Sequence, residues 1–209
     1  MNPQYTMNTF PESPEAATIQ VLELFSQSRP NDAWASLNAA VEKFPADARL
    51  RFLLGSVLAG EQHYEKALSQ LEFAVQLDPG FEIARFQLGS LRFTSGDAEG
   101  ARHAWAPLAE LPDGHPLRCF KNGCEALMED RFADTANWLT QGIAANAENA
   151  HLNHDMQLLL DRTLQQMQVE QTSEPSQGPT HLLMSGYQTM SAEPQDFEKS
   201  ADPTHQVKH

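Results

Sequence analysis

Residues 151–155 read His-Leu-Asn-His-Asp, which sets two imidazoles three residues apart with a carboxylate beside them. Such donors suit zinc, but a zinc site needs three or four convergent ligands. His151, His154 and their neighbour Asp155 are fixed by no further partner in the sequence, so solvated histidines on a helix face are the expectation and no metal is. Nucleophilic chemistry fares no better. Cys119 and Cys124 are the two thiols, and Cys124 has no histidine within a helical turn to draw off its proton. Ser56 and Ser90 lack the strand–turn–helix setting that exposes a catalytic serine. The glycines of "SGDAEGA", residues 95–101, read as a turn between helices rather than a phosphate cradle. No catalytic residue, cofactor or metal is expected, which leaves binding as the chemistry to look for.

The bulk composition narrows the partners. The chain has 209 residues, with 28 acidic against 14 basic side chains and a net charge of −14. That field repels phosphate backbones and anionic lipid, so neither nucleic acid nor a membrane surface is expected as a partner. The first residues, "MNPQYTMNTFPESPEAA", have no basic and apolar leader pattern, and no run of about 18 apolar residues predicts a spanning helix. The cysteines are five apart, on different faces of a helix, so no disulfide is expected between them and a reducing cytoplasm is the simple assignment.

The elements that would carry a binding surface come from a repeat. "RFLLGSVL" at Arg51 is echoed by "RFQLGSLRF" at Arg85. The same step relates Gly55, Gly89 and Gly123. It also relates Ala33, Ala67 and Ala101, the series Leu37, Leu71, Trp105 and Leu139, and the rings of Phe52, Phe86 and Phe120. Within a unit, Leu50, Leu54, Val57 and Leu58 recur at helical steps, as do Tyr64, Ala67, Leu68, Leu71, Ala74 and Val75. Both sets predict amphipathic helices of about 13 residues. Pro45 and Pro79 cannot continue a helix and mark where each second helix stops. Gly55 and Ala67 are small enough to let two antiparallel helices approach closely. One such pair leaves apolar surface uncovered, so pairs must stack.

With these positions the chain resembles the tetratricopeptide repeat (TPR) family, whose pattern is a Leu-Gly pair, an aromatic, an alanine, an aromatic, an alanine and a proline, in that order. The clearest copy supplies Leu54-Gly55, Tyr64, Ala67, Leu71, Ala74 and Pro79, and the next Leu88-Gly89, Ala98, Ala101, Trp105 and Leu108. Val21 replaces the glycine in the first copy, Asn122-Gly123 and Thr135 weaken the fourth, and Arg51, Arg85 and Cys119 stand where the family has a large early residue. The resemblance implies an all-α, right-handed solenoid of about four helix pairs over residues 14–47, 48–81, 82–115 and 116–147. Leu152, Met156, Leu159, Leu160 and Leu164 predict a closing helix over 148–169. Residues 1–13 and the Pro-, Ser- and Gln-rich stretch 170–209 are expected to be disordered.

In the family the first helix of each pair lines a concave groove. By that resemblance the groove here is Phe52, Ser56, Phe86, Ser90, Phe93, Phe120, Cys124 and Leu127, unless the rings pack as core. Members that capture acidic C-termini carry Lys and Asn at these positions. Phe, Ser and Cys here fit an extended apolar peptide instead, held by an adaptor or chaperone-like protein. Within the polar tail, Leu182, Leu183, Met184 and Tyr187 of "THLLMSGYQTM", residues 180–190, form an apolar island. The island is either a chance cluster or a docking motif. As a motif it could fill the chain's own groove or a neighbour's, making a self-assembly module the alternative function.

Overall fold

Short polar signals start several helices. In the computed structural model, which describes residues 11–172, Ser13 accepts a hydrogen bond from the Ala16 amide at 3.2 Å. Asp47 accepts from Leu50 at 2.9 Å and Asp97 from Gly100 at 2.8 Å. Each satisfies a first-turn N–H that has no partner inside the helix. Pro14, Pro30 and Pro116 occupy first helical positions, where no N–H is needed.

These signals delimit four helix pairs. They are α1 (Pro14–Ser26) with α2 (Pro30–Lys43), α3 (Ala48–Gly60) with α4 (Tyr64–Leu77), α5 (Glu82–Thr94) with α6 (Ala98–Trp105), and α7 (Pro116–Met128) with α8 (Phe132–Ala145). A ninth helix, α9 (Ala150–Thr172), follows, and no strand occurs among the described residues. The short α6 has a covalent cause. Pro107 has no N–H for the next helical bond, so Ala106–Glu110 tightens into a 3-10 turn. The island at 180–190 and most of the stretches expected to be disordered lie outside the described residues.

The turn inside each pair repeats as faithfully as the helices. Ser28, Gln62, Gly96 and Asp130 occupy the same place in successive pairs, and all have positive φ of 55° to 88°. The amide after each donates to a carbonyl back in the helix before it, from Arg29 to Leu24, His63 to Leu58, Asp97 to Arg92 and Arg131 to Ala126, at 2.8–3.0 Å. This closure needs a left-handed residue, which favours glycine. Only the third copy has one. Gln62→Gly is therefore expected to raise stability by about 0.5–1 kcal/mol, read as a higher urea midpoint at unchanged slope.

The arginines at the head of the first helices have a structural task. Arg51 Nε donates to the Pro45 carbonyl at 3.1 Å and Arg85 Nε to Pro79 at 2.6 Å, while the Arg118 guanidinium donates to Leu111 at 2.6 Å. Each ties a helix start to the loop that ends the previous pair. Arg51 also lies over the Phe73 ring, 5.1 Å from its centroid, which shields one face of an otherwise exposed phenylalanine.

Pairs close where a small residue meets a large one. At Gly55 an added methyl would stand 2.9 Å from Leu71 Cγ, and at Gly89 it would fall inside the Trp105 indole. The buried residues form two clusters. One is centred on Leu37, Leu50 and Leu71, and the other on Phe86, Trp105, Phe120 and Leu139. α9 completes the second with Met156, Leu159 and Leu160.

Candidate functional site

An asparagine network sets the direction of α9. Asn146 Nδ2 donates to the Asn149 carbonyl at 3.0 Å and to Asn153 Oδ1 at 2.8 Å. Asn153 Nδ2 returns a bond to the Asn146 carbonyl at 2.7 Å, and Asn149 caps the helix by accepting from the Leu152 amide at 3.0 Å. With 14 residues α8 spans about 21 Å, whereas the 23 residues of α9 span about 34 Å, and α9 stays packed through Thr163, which is fully buried, and Met167. Leu164, expected on the packed face, is instead 42% exposed, and its neighbour Thr163 is the buried residue there.

Fixed in this way, one face of α9 stands across from α5 and leaves a half-open cleft of about 170 Å³. Phe52 of α3 lies at its outer edge. From α5 come Ile83, Phe86, Gln87, Ser90 and Phe93, with Trp105 and Cys124 behind them. The opposite wall is α9, through His151, Leu152, Asp155, Met156, Leu158, Leu159 and Arg162. Gln87 Oε1 accepts from the Ser56 hydroxyl at 2.7 Å, which fixes the amide at the cleft wall. Its nitrogen makes no hydrogen bond among the described residues, which leaves two donors for a ligand.

The eight groove positions named from the sequence divide accordingly. Phe52, Phe86, Ser90, Phe93 and Cys124 line the cleft, and Ser56 braces Gln87. Phe120 and Leu127 are fully buried. Phe120 points between α7 and α8, where it occupies the space a side chain at Gly142 would need. Nor is the wall a ladder of exposed rings. Phe86 is 2% exposed, stacked on Trp105 at 6.1 Å and tilted against Phe120 at 6.1 Å, and presents only an edge. The Phe86 carbonyl accepts from the Trp105 indole and from the Ser90 hydroxyl, both at 2.9 Å. Of the two histidines, His151 reaches the cleft rim and His154 does not line it, and no group of three metal-ligating side chains gathers among the described residues.

Electrostatics single out two groups. Burial pushes the Cys124 thiol up to about 12, and the neighbouring Glu125 adds to this, so it stays protonated and inert. Burial likewise raises Asp155 from the ordinary 3.8 to about 6, with His154 and His151 pulling the other way. A carboxyl raised on folding favours the folded state below the unfolded value, and that contribution is lost as pH rises through about 6. Asp155→Asn is therefore expected to raise the thermal midpoint near neutral pH. The gain should shrink between pH 6 and 3.8 and vanish below. An unchanged or lower midpoint at neutral pH would mean the carboxylate is well solvated.

Stacked helix pairs in one repeating register, with a cleft between α5 and α9, define a helical-repeat solenoid. The tetratricopeptide repeat family model matches residues 20–80 and 58–114, so the chain carries tetratricopeptide repeats over that stretch. It is similar to tetratricopeptide repeat protein 34 of Homo sapiens, at 36% identity over 84 residues. The match takes in 40% of this chain and spans 15% of that protein's length. Among solved structures, the one described as the functional characterization of Pseudomonas aeruginosa pilF superposes with a TM-score of 0.53. At 16% identity it covers 85% of this chain and 82% of that one, a likeness of fold alone.

Proposed function

We propose that the chain is a non-catalytic protein-binding module, an adaptor or chaperone-like holder, whose cleft between α5 and α9 takes an apolar segment of another protein. The observation that carries this reading is the cleft itself. It is half-open and walled by Phe52, Ile83, Leu152 and Leu158, with the Gln87 amide free to meet a backbone carbonyl. Its volume suits one or two anchor side chains rather than a cofactor. TPR domains as a class bind proteins and peptides. A charge of −14 disfavours nucleic acid, and two buried free thiols fit a reducing cytoplasm.

Leu158 offers the test, because it lines the cleft but is only partly buried. Pooled, labelled peptides of about ten residues, rich in Leu and Phe, should bind the full chain at micromolar concentration. Leu158→Glu should weaken them by tenfold or more, about 1.4 kcal/mol, with an unchanged helical spectrum. Equal binding by the variant would place the site elsewhere.

A second reading rests on chain length. Leu182 lies ten residues beyond Thr172, a reach of about 33 Å when extended. Returning from Thr172 to Leu158 along α9 needs only about 21 Å. Leu182, Leu183, Met184 and Tyr187 could therefore fill the cleft of their own chain or of a neighbour, as a self-assembly module would require. Molecular size measured across a dilution series separates the two, since assembly through a neighbour's tail should fade on dilution.

A further inference from the structure

Asp155 is an anomaly within the cleft. It lines an apolar-walled cavity, yet no hydrogen bond or ion pair reaches its carboxylate among the described residues. A carboxylate in such a place is poorly solvated and recovers its loss only by meeting a cation or donors.

Nothing built into the surrounding elements supplies that cation. α3 brings Phe52, and α5 brings Ile83, Phe86, Gln87, Ser90 and Phe93, none of them charged. α7 brings the protonated Cys124 thiol, while its Lys121 is paired with Glu125 at 2.7 Å. On α9 itself His154 stands next to Asp155 and His151 one turn before it. Both favour its charged form, but neither makes a hydrogen bond or ion pair with it among the described residues. Arg162 lies two turns after, about 10 Å along the axis, and already has a partner of its own.

We propose that the segment taken by the cleft carries one basic side chain, Lys or Arg, among its apolar ones, and that its ammonium or guanidinium pairs with Asp155. This rests on the cleft being the binding site. The aliphatic stem of such a side chain can lie along Leu152 and the Phe86 edge while its head meets the carboxylate. One carboxylate among apolar walls matches a single basic residue followed by apolar ones rather than a basic run. An acidic segment is repelled by Asp155 and by the net charge alike.

Three peptide pools test the class directly. All are about ten residues of randomised Leu, Phe, Val and Ser, and the central residue is Lys, acetyl-lysine or norleucine. Binding is read by fluorescence anisotropy on the full chain near neutral pH, at about 0.3 M salt to screen the long-range field. The Lys pool should bind about tenfold more tightly than either neutral pool. Asp155→Asn should erase that difference, and Asp155→Glu should restore part of it. Lowering the pH through about 6 should shrink the Lys preference as Asp155 takes up its proton. Equal binding of all three pools to the unmodified protein would overturn the cationic ligand and leave the apolar cleft standing. A Lys preference that survives in Asp155→Asn would assign it to the overall acidic field, and the pairing with Asp155 would be abandoned. If no pool binds, the cleft is not the site, and this inference falls with it.

Discussion

Gly89→Ala is expected to lower stability by about 2–4 kcal/mol, a large share of what a domain of this size has. A methyl at this position would occupy the Trp105 indole, whose side chain is fully buried and whose N–H donates to the Phe86 carbonyl at 2.9 Å. Forcing extra volume into a packed site costs about 1–3 kcal/mol, and a buried donor left without its acceptor adds about 1–3. Alanine recovers about 1 kcal/mol of helix propensity over glycine, which is not enough to offset these losses. Gly55→Ala, one repeat earlier, is the built-in control. Its methyl would meet Leu71 Cγ and Cδ2 at 2.9–3.0 Å and the Ala67 carbonyl at 3.3 Å, a lesser clash than the overlap at Gly89, so after the propensity gain the net loss should stay below about 2 kcal/mol. Urea unfolding of the two variants side by side measures the contrast. Similar losses at both positions would mean that the third pair is packed no more tightly than the second.

A second large contrast separates core from cleft. Phe86→Glu is expected to unfold the chain or cost more than about 4 kcal/mol. The carboxylate would sit 2% exposed between Trp105 and Phe120 with nothing to pair it. Leu158→Glu, on the partly open wall opposite, should keep its helical spectrum and its midpoint to within about 1 kcal/mol, because its charge can reach water. A folded Phe86→Glu variant would show that the ring can swing out into the groove and that the concave face is softer than its packing implies.

The helical solenoid was legible in the sequence because its causes are local. Each repeat makes the same contacts at the same positions, so Gly55 and Gly89, Ala67 and Ala101, and Leu71 and Trp105 announce one pair after another. The arginines at 51 and 85 broke the family pattern, yet each stands at the same distance after a proline, and the bond from guanidinium to proline carbonyl explains both departures. The site was less legible, for a physical reason. Whether Phe86 or Phe120 faces the groove depends on how far the solenoid curls and on what the neighbouring helix presents. For Phe120 that is the missing side chain of Gly142, on the following helix. The opposite wall was hidden more deeply. Asp155 reads as one polar residue on an amphipathic helix, and only the asparagine turn at 146–153 swings it across from Gln87 and Ser90. A trace of it was present in the run Leu152, Asp155, Met156 and Leu159, where one acid interrupts an otherwise apolar face.

Amide chemical-shift mapping on the full-length chain tests the cleft most directly. The probe is the tightest peptide recovered from the lysine-centred pool, added stepwise to saturation. The predicted result is a contiguous set of perturbed amides on α3, α5 and α9, including Gln87, Ser90, Leu152, Asp155 and Leu158, with the outward helices α2, α4 and α6 silent. Perturbations gathered instead on α2, α4 and α6 would contradict a concave binding site, whatever the affinity of the peptide.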